Sequence, residues 1–368
     1  MKKKILFTAS TYSHINNFHL PYIKFLKGRG DIVHVMAGGK PQDIPYADRV
    51  IEIPFEKKIT SPKNFMLAIK MAKILRKEKY DIISTHTSLA AFFTRLAVMF
   101  SMQKTFVINT VHGYLFDEKT NTLKKSIMLM AEIITRGVTD VIVTMNRQDN
   151  EIARKYKLYK KAVYNINGMG VDYSNIPDRE MQEKYRKEIR AKYNIRKNDF
   201  VMSYAAEFSD RKNQKMLIDA MQNLSEDAVL ILMGDGANYQ KCKELSKEIG
   251  VENRVMFTGF TKEVYKYYSA SDCSVSASRI EGLPFNIMEA LAIGLPVITS
   301  NVKGHEDLIS NGYNGYLYDY DDVSGFCDFI NKIKDDEGLK FEMSKNSILE
   351  SQKYSMENVF PEIVRLYE

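Results

Sequence analysis

No stretch of this 368-residue chain is apolar for long enough to cross a bilayer. The most apolar window, LAAFFTRLAVMF at 89–100, is broken by Arg95 and falls short of the roughly 20 residues that a membrane-spanning helix needs. The opening MKKKILFTAS has the basic-then-apolar order of a secretory leader. Its apolar part is short and His14, Asn16 and Asn17 follow at once, so it reads as a buried first strand. Cysteine is scarce: Cys242, Cys273 and Cys327 show no CxxC spacing, which argues against a zinc knuckle or a disulfide framework and fits a reducing cytosol. Glycine is missing where a dinucleotide fold would need it, since the turn after the first apolar run, ASTYSHINNFH, holds none. Neither GxGxxG nor a P-loop is present, and the chain has no internal repeat or low-complexity tract.

What the chain does have is cationic charge, unevenly spread. Residues 1–175 carry 28 Lys and Arg against 14 Asp and Glu, whereas the remainder carries 25 against 32. A basic half attracts phosphate-rich surfaces, either nucleic acid or anionic lipid. No nucleic-acid recognition motif accompanies it.

Short apolar runs alternate with amphipathic stretches along the whole length. The runs at 5–10, 32–38, 49–53, 81–86, 105–112 and 140–145, then at 200–208, 228–234, 254–260, 273–278 and 296–300, read as strands buried on both faces. The segment 60–80 shows helix signals. Ser61 is placed to cap it, Pro62 suits the first helical position, and Phe65, Ala68, Ile69, Ala72 and Leu75 form one apolar stripe. Strand–helix alternation implies a doubly wound α/β architecture. The chain is too long for one comfortable core, and 173–197 is polar and charged. Two Rossmann-like domains are therefore expected, 1–172 and 198–352, joined by a linker at 173–197. Residues 353–368 should close the chain as a helix directed back toward the first domain.

Open parallel sheets bind ligands beyond the carboxyl ends of their strands. The turn after the run at 273–278 is Arg279-Ile280-Glu281-Gly282-Leu283-Pro284, and FNIMEALAIG then reads as a helix from Phe285 that Gly294 ends. The free amides at that helix start favour an anion. Gly282 lets backbone approach a ligand closely. Glu289, one turn in, can accept two hydrogen bonds from a vicinal diol, and Glu281 on the turn can do the same for sugar hydroxyls. The plainer reading is that both carboxylates serve the helix dipole.

The long match EGLPFNIMEALAIGLPVI resembles the E-x7-E signature of family 4 retaining glycosyltransferases of the GT-B fold. VKGHEDLI (302–309), GYLY (315–318), NTVHGYLFDE (109–118), DVIVTMNRQD (140–149) and NINGMGVD (165–172) extend the resemblance over nearly the whole chain, toward bacterial transferases of capsule and exopolysaccharide assembly. The resemblance implies two Rossmann-like, doubly wound parallel-sheet domains facing across a cleft. It implies that a nucleotide-sugar donor is held mainly by the second. Glu289 would bind the donor ribose, and Glu281 the donor sugar, with Gly282, Leu283, Pro284 and Phe285 around the donor. In AAEFSDRKNQKMLIDA (205–220), Lys212 fits the family's phosphate-binding lysine, but Glu207 stands where the family has arginine. Arg211 is the candidate substitute.

On the acceptor side, His112 before Gly113 fits the family's histidine near the reacting centre, and His14 can line the same side. His34 reads as structural, while His19, His86 and His305 are not assigned by sequence. RVMFTGF (254–260) resembles the strand that frames the nucleotide base, and UDP is the donor nucleotide the family favours. The Asp319-Tyr320-Asp321 triplet spells DxD but sits in a loop far along the second domain, so no metal and no cofactor are expected. The expected activity is retaining transfer of a hexose-type sugar to a glycan acceptor, such as one on a polyprenyl diphosphate. The enzyme would be cytoplasmic, docking an anionic membrane surface through the basic segments at 61–79 and 119–134, with no nucleic-acid partner. The alternative is a catalytically silent partner subunit that binds sugar nucleotide or lipid-linked glycan.

Overall fold

Thirteen strands, all parallel, divide between two sheets in this computed structural model, which describes residues 2–56, 58–117 and 120–368. The chain groups into two units, Met1–Met169 with Val359–Glu368, and Gly170–Asn358.

The first unit holds β1 (Lys4–Thr8), β2 (Ile32–Ala37), β3 (Arg49–Glu52), β4 (Ile82–His86), β5 (Phe106–Val111), β6 (Val141–Thr144) and β7 (Ala162–Asn165), in the order β3-β2-β1-β4-β5-β6-β7. β1 and β4 are buried along nearly their whole length, as strands covered by helices on both faces must be. Strand order reverses between β1 and β4, so their carboxyl ends diverge and leave a crevice. Leu6, Ile83 and Val107 pack with Ala68, Met71, Leu75, Phe93 and Leu96 from the helices Pro62–Glu78 and Ser88–Ser101.

The second unit holds β8 (Phe200–Ala205), β9 (Ala228–Met233), β10 (Val255–Gly259), β11 (Cys273–Ser276), β12 (Val297–Ser300) and β13 (Gly315–Tyr318), in the order β10-β9-β8-β11-β12-β13. Its reversal falls between β8 and β11. Met202, Leu230, Val275 and Ile298 form the sheet's share of a core completed by Leu217, Phe326 and Ile330. All three cysteines are buried and free.

Each of the eleven apolar runs read from sequence overlaps a strand, but β3, at the sheet edge, is largely exposed rather than buried on both faces. β7 and β13, both at sheet edges, do not figure among them. The stretch 173–197 is more than a tether. It carries the helix Arg179–Lys192, which Asp178 caps through the Met181 amide, and Arg186 and Arg190 of that helix both grip Asp272 just before β11. Pro62 does begin its helix, but the Ser61 side chain makes no cap and bonds Glu56 at 2.5 Å instead. The apolar stripe of that helix is also split. Ala68, Ala72 and Leu75 face the core with Met71 and Asn64, whereas Phe65 and Ile69 are 43% and 53% exposed. Arg95, which interrupts the most apolar window, is fully buried and makes a two-pronged pair with Glu132, 2.9 Å on each branch. None of the described helices is long and apolar enough to cross a membrane.

Candidate functional site

In the second unit the residues singled out from sequence converge at the β8/β11 switch point. β8 delivers Arg211 and Lys212 on the turn before the helix Gln214–Ala220, and β11 delivers Glu281 on the turn before the helix Phe285–Ala292. The Lys212 Nζ lies 2.5 Å from Glu281 Oε1, and Arg211 Nη1 lies 3.1 Å from Oε2 of the same carboxylate. Backbone locks the two turns together, since the Arg279 amide donates to the Arg211 carbonyl at 2.8 Å. Tyr204 donates to the Lys212 carbonyl at 3.2 Å and shares a 2.8 Å hydroxyl contact with Ser278. Glycine is required beneath this turn: Gly304 has φ +81°, and a Cβ there would lie 2.3 Å from the Gly282 carbonyl oxygen.

Lys212 and Glu281 are both buried. Burial alone pushes the Glu281 carboxyl up, but Lys212, Arg211 and His305 together outweigh it and hold it below the ordinary carboxylate value. Burial lowers the Lys212 ammonium, against the pull of Glu281. Opposite charges in contact favour each other's ionised forms, so the pair is read as ammonium and carboxylate.

Glu289 is different. It sits on the inner part of the helix Phe285–Ala292, and Tyr173, Tyr265 and Tyr268 all feel its charge. Desolvation raises its carboxyl to about 7, with no cation among the described residues to oppose it. The helix ends as read from sequence, with Gly294 at φ +89° after the Ile293 cap. Glu207 is exposed, and Arg211 rather than Glu207 joins the Glu281 cluster. Asp321 of the DxD triplet accepts a 3.2 Å bond from Asn213. His305 is fully buried, donates Nδ1–H to the Ser300 carbonyl at 2.8 Å, and leaves Nε2 without a partner.

The first unit carries a second cluster at the β1/β4 switch point. His14 lies on the helix Tyr12–Phe18 after β1, His19 follows that helix, His86 ends β4, and His112 follows β5. One ring nitrogen from each of the four lies within 4.8 Å of those of the others. His14 Nε2 and His86 Nδ1 each lie 3.2 Å from His112 Nε2. Burial lowers His14 to about 4. Burial, reinforced by the neighbouring rings, drives His19, His86 and His112 well below the usual imidazole range. Gly113, at φ +126°, turns the chain after His112, and a cavity of about 50 Å³ opens there between Ser88, Asn109, Tyr114 and Glu132. His34 instead bonds the Tyr80 hydroxyl at 2.8 Å inside the sheet, as a structural histidine. Sequence placed His14 and His112 on one side, but gave no signal for His19 or His86. Glu118 and Lys119, which belong to the motifs at 109–118 and 119–134, lie outside the described residues.

Comparison with known proteins defines the class. The sequence profile "Glycosyl transferases group 1" matches residues 185–350, and "Glycosyltransferase Family 4" matches 22–171. "Putative glycosyltransferase EpsD" of Bacillus subtilis (strain 168) is 31% identical over 337 residues, covering 90% of this chain and 88% of that protein. The "UDP-Gal:alpha-D-GlcNAc-diphosphoundecaprenol alpha-1,3-galactosyltransferase" of Escherichia coli is 28% identical, covering 77% and 74%. Among solved structures, Anabaena Alr3699/HepE in complex with UDP and glucose superposes with a TM-score of 0.80 at 19% identity, covering 99% of both chains. With its two parallel sheets, the fold is GT-B. The chain belongs to the family 4 glycosyltransferases and is similar to bacterial enzymes named for capsular polysaccharide biosynthesis and for an undecaprenol-linked acceptor.

Proposed function

We propose that this enzyme transfers a hexose-type sugar from a UDP-sugar to a lipid-linked glycan with retention of anomeric configuration, in the assembly of a cell-surface polysaccharide. The observation that carries this reading is the Lys212–Glu281–Arg211 cluster at the β8/β11 switch point, with the start of the helix Phe285–Ala292 directly after it. Support for the donor and acceptor classes comes from the relatives. HepE was crystallised with UDP, and the E. coli relative is named for a UDP-sugar and an undecaprenol-linked acceptor.

In this mechanism the bond from the anomeric carbon to the diphosphate oxygen breaks as the bond to the acceptor oxygen forms on the same face. The acceptor proton passes to the leaving phosphate. Charge grows on that phosphate, and Lys212, Arg211 and the helix amides after Pro284 stabilise it, so the diphosphate needs no divalent metal. Glu281 is occupied by two cations and is no covalent nucleophile of the kind retaining glycosidases use. Glu289 accepts hydrogen bonds from the ribose diol. His112, with His14 and Gly113, serves the acceptor side.

The acceptor's lipid suggests where the enzyme works. On the helix Thr122–Thr135, Leu123, Ile127, Met130 and Ile134 form an exposed stripe, beside Lys124 and Lys125. The helix Pro62–Glu78 likewise exposes Met66 and Ile69 among Lys63, Lys70 and Lys73. Apolar side chains with flanking lysines suit an anionic leaflet.

The test is a melting-temperature screen with UDP, GDP and their sugars, followed by transfer of labelled sugar to a polyprenyl-diphosphate glycan. UDP should stabilise by mass action, and Lys212→Ala should remove the shift. A shift that survives in that variant, or no response to any nucleotide diphosphate, would refute the donor site.

A further inference from the structure

We propose that His14, His19, His86 and His112 form a binding site for one divalent transition-metal ion of the zinc class, inside the first unit and separate from the donor machinery. Three observations converge on it. The first is spacing. Zinc–imidazole bonds of about 2.0–2.1 Å in a tetrahedron put the ligand nitrogens about 3.3–3.4 Å apart. His14 Nε2 and His86 Nδ1 each stand 3.2 Å from His112 Nε2, and all four residues offer a nitrogen within 4.8 Å of the others.

The second is hydrogen-bond arithmetic. A neutral imidazole nitrogen has either one proton or one lone pair. His112 Nε2 therefore cannot satisfy both nitrogens that face it. His19, fully buried among them, has no hydrogen-bond partner on either ring nitrogen. Buried polar atoms are rarely left so, and a bound ion is one of the standard reasons. A cation that accepts one lone pair from each ring resolves the contacts at His112 Nε2 and gives one His19 nitrogen a partner.

The third is the outer shell. His86 Nε2 lies 3.0 Å from Ser84 Oγ, which lies 2.8 Å from the Tyr367 hydroxyl. With Nε2–H donated to Ser84, the Nδ1 lone pair is aimed at the cluster, the usual support for a metal-bound histidine. Phe7 stacks on both the His86 and Tyr367 rings, which keeps the imidazole plane fixed. All four donors are nitrogen, and among the described residues no carboxylate belongs to the cluster. Imidazoles select Zn²⁺, Co²⁺, Ni²⁺ or Cu²⁺, while Mg²⁺ and Ca²⁺ require oxygen. His14 and His112 are only half-buried, so an ion can enter from that side.

The experiment uses the full chain without a histidine tag, stripped by dialysis against a chelator. Zn²⁺ is titrated in competition with a fluorescent zinc chelator, and Co²⁺ is followed by its visible absorption. We expect one ion per chain, the intense visible bands of four-coordinate Co²⁺, and no competition from millimolar Mg²⁺. His14→Asn, at the half-buried rim, should weaken zinc by tenfold or more. Ser84→Ala should weaken it by about 10–100-fold, as loss of an outer-shell partner does. His34→Asn should leave it unchanged. A melting curve on each variant separates lost binding from lost folding. No stoichiometric ion, a Co²⁺ spectrum like that of the aqua ion, or undiminished affinity in a folded His14→Asn protein would overturn the site. Because His112 is also the acceptor-side histidine of the proposed function, bound zinc should slow transfer and a chelator should restore it. Zinc that binds without slowing transfer would leave the metal site standing and remove His112 from the reaction.

Discussion

Lys212 and Glu281, 69 residues apart in sequence, meet at 2.5 Å inside the second unit, so the cation that our proposal assigns to the diphosphate is held by a carboxylate. Arg211 shares that carboxylate from the solvent side. The cluster is therefore poised between an internal ion pair and an incoming anion.

Changing the two partners should have opposite effects on binding. Lys212→Ala should reduce turnover by ~10²-fold or more, on the scale of one lost oxyanion donor. It also leaves Glu281 buried without its main partner, a loss that typically costs about 3–5 kcal/mol of stability. Glu281→Gln frees both cations, so UDP should bind more tightly while transfer slows. Calorimetric titration of UDP against each variant checks this, and weaker UDP binding in Glu281→Gln would contradict it.

Glu289 makes both stability and donor affinity depend on pH. Its carboxyl titrates near 7 in the fold against about 4.5 when exposed. A raised acid is stabilising below its unfolded value, and that contribution is lost as pH rises through the folded value. The wild type should therefore lose melting temperature relative to Glu289→Gln between about pH 4.5 and 7 and run parallel above, a difference of at most about 3 kcal/mol. Donor affinity should move the other way. In the proposed role the ionised carboxylate accepts the ribose hydroxyls, so UDP binding should strengthen through pH 7 in the wild type relative to the variant.

The Arg95–Glu132 pair is sealed inside the first unit. Glu132→Ala should destabilise by about 3–5 kcal/mol, because it strands a buried guanidinium. The double change Arg95→Met, Glu132→Leu should recover much of that. A denaturant double-mutant cycle measures the difference.

Membrane docking is checked by sedimentation with liposomes at low salt. The wild type should pellet with anionic vesicles and not with neutral ones. Leu123→Ser with Ile127→Ser, on positions 71% and 55% exposed, should abolish pelleting with no loss of melting temperature. Equal pelleting with both lipids would count against docking.

Gly304→Ala should disturb the donor turn from beneath. Its Cβ has no room against the Gly282 carbonyl, and its backbone is left-handed. Lower stability together with weaker UDP binding is expected, read from the same melting screen.

Much of this was legible in the sequence because apolar runs mark parallel strands directly. Residues 273–278 announce β11, and the turn and helix after it follow from Gly282, Pro284 and Gly294. The resemblance put Lys212 and Glu281 at one donor, but their direct ion pair was visible only in the fold. Where the reading fell short, the missing information was tertiary. Periodicity cannot tell a core stripe from an exposed one, so Phe65 and Ile69 were counted with Ala68 and Ala72. In the fold, Asn64 takes the buried place by bonding the Glu56 and Lys58 carbonyls. Likewise, nothing local marks His19 or His86. They join His14 and His112 only because β1 pairs with β4 and β4 with β5 in one particular register.

Residues Val359–Glu368 belong to the first unit although they follow the entire second unit in the chain. Tyr367 among them anchors Ser84 and stacks on Phe7, beneath the histidines. The first unit therefore depends on a segment that the chain supplies only after the whole of the second, and a cut between the two would leave Ser84 and Phe7 without their Tyr367 contacts.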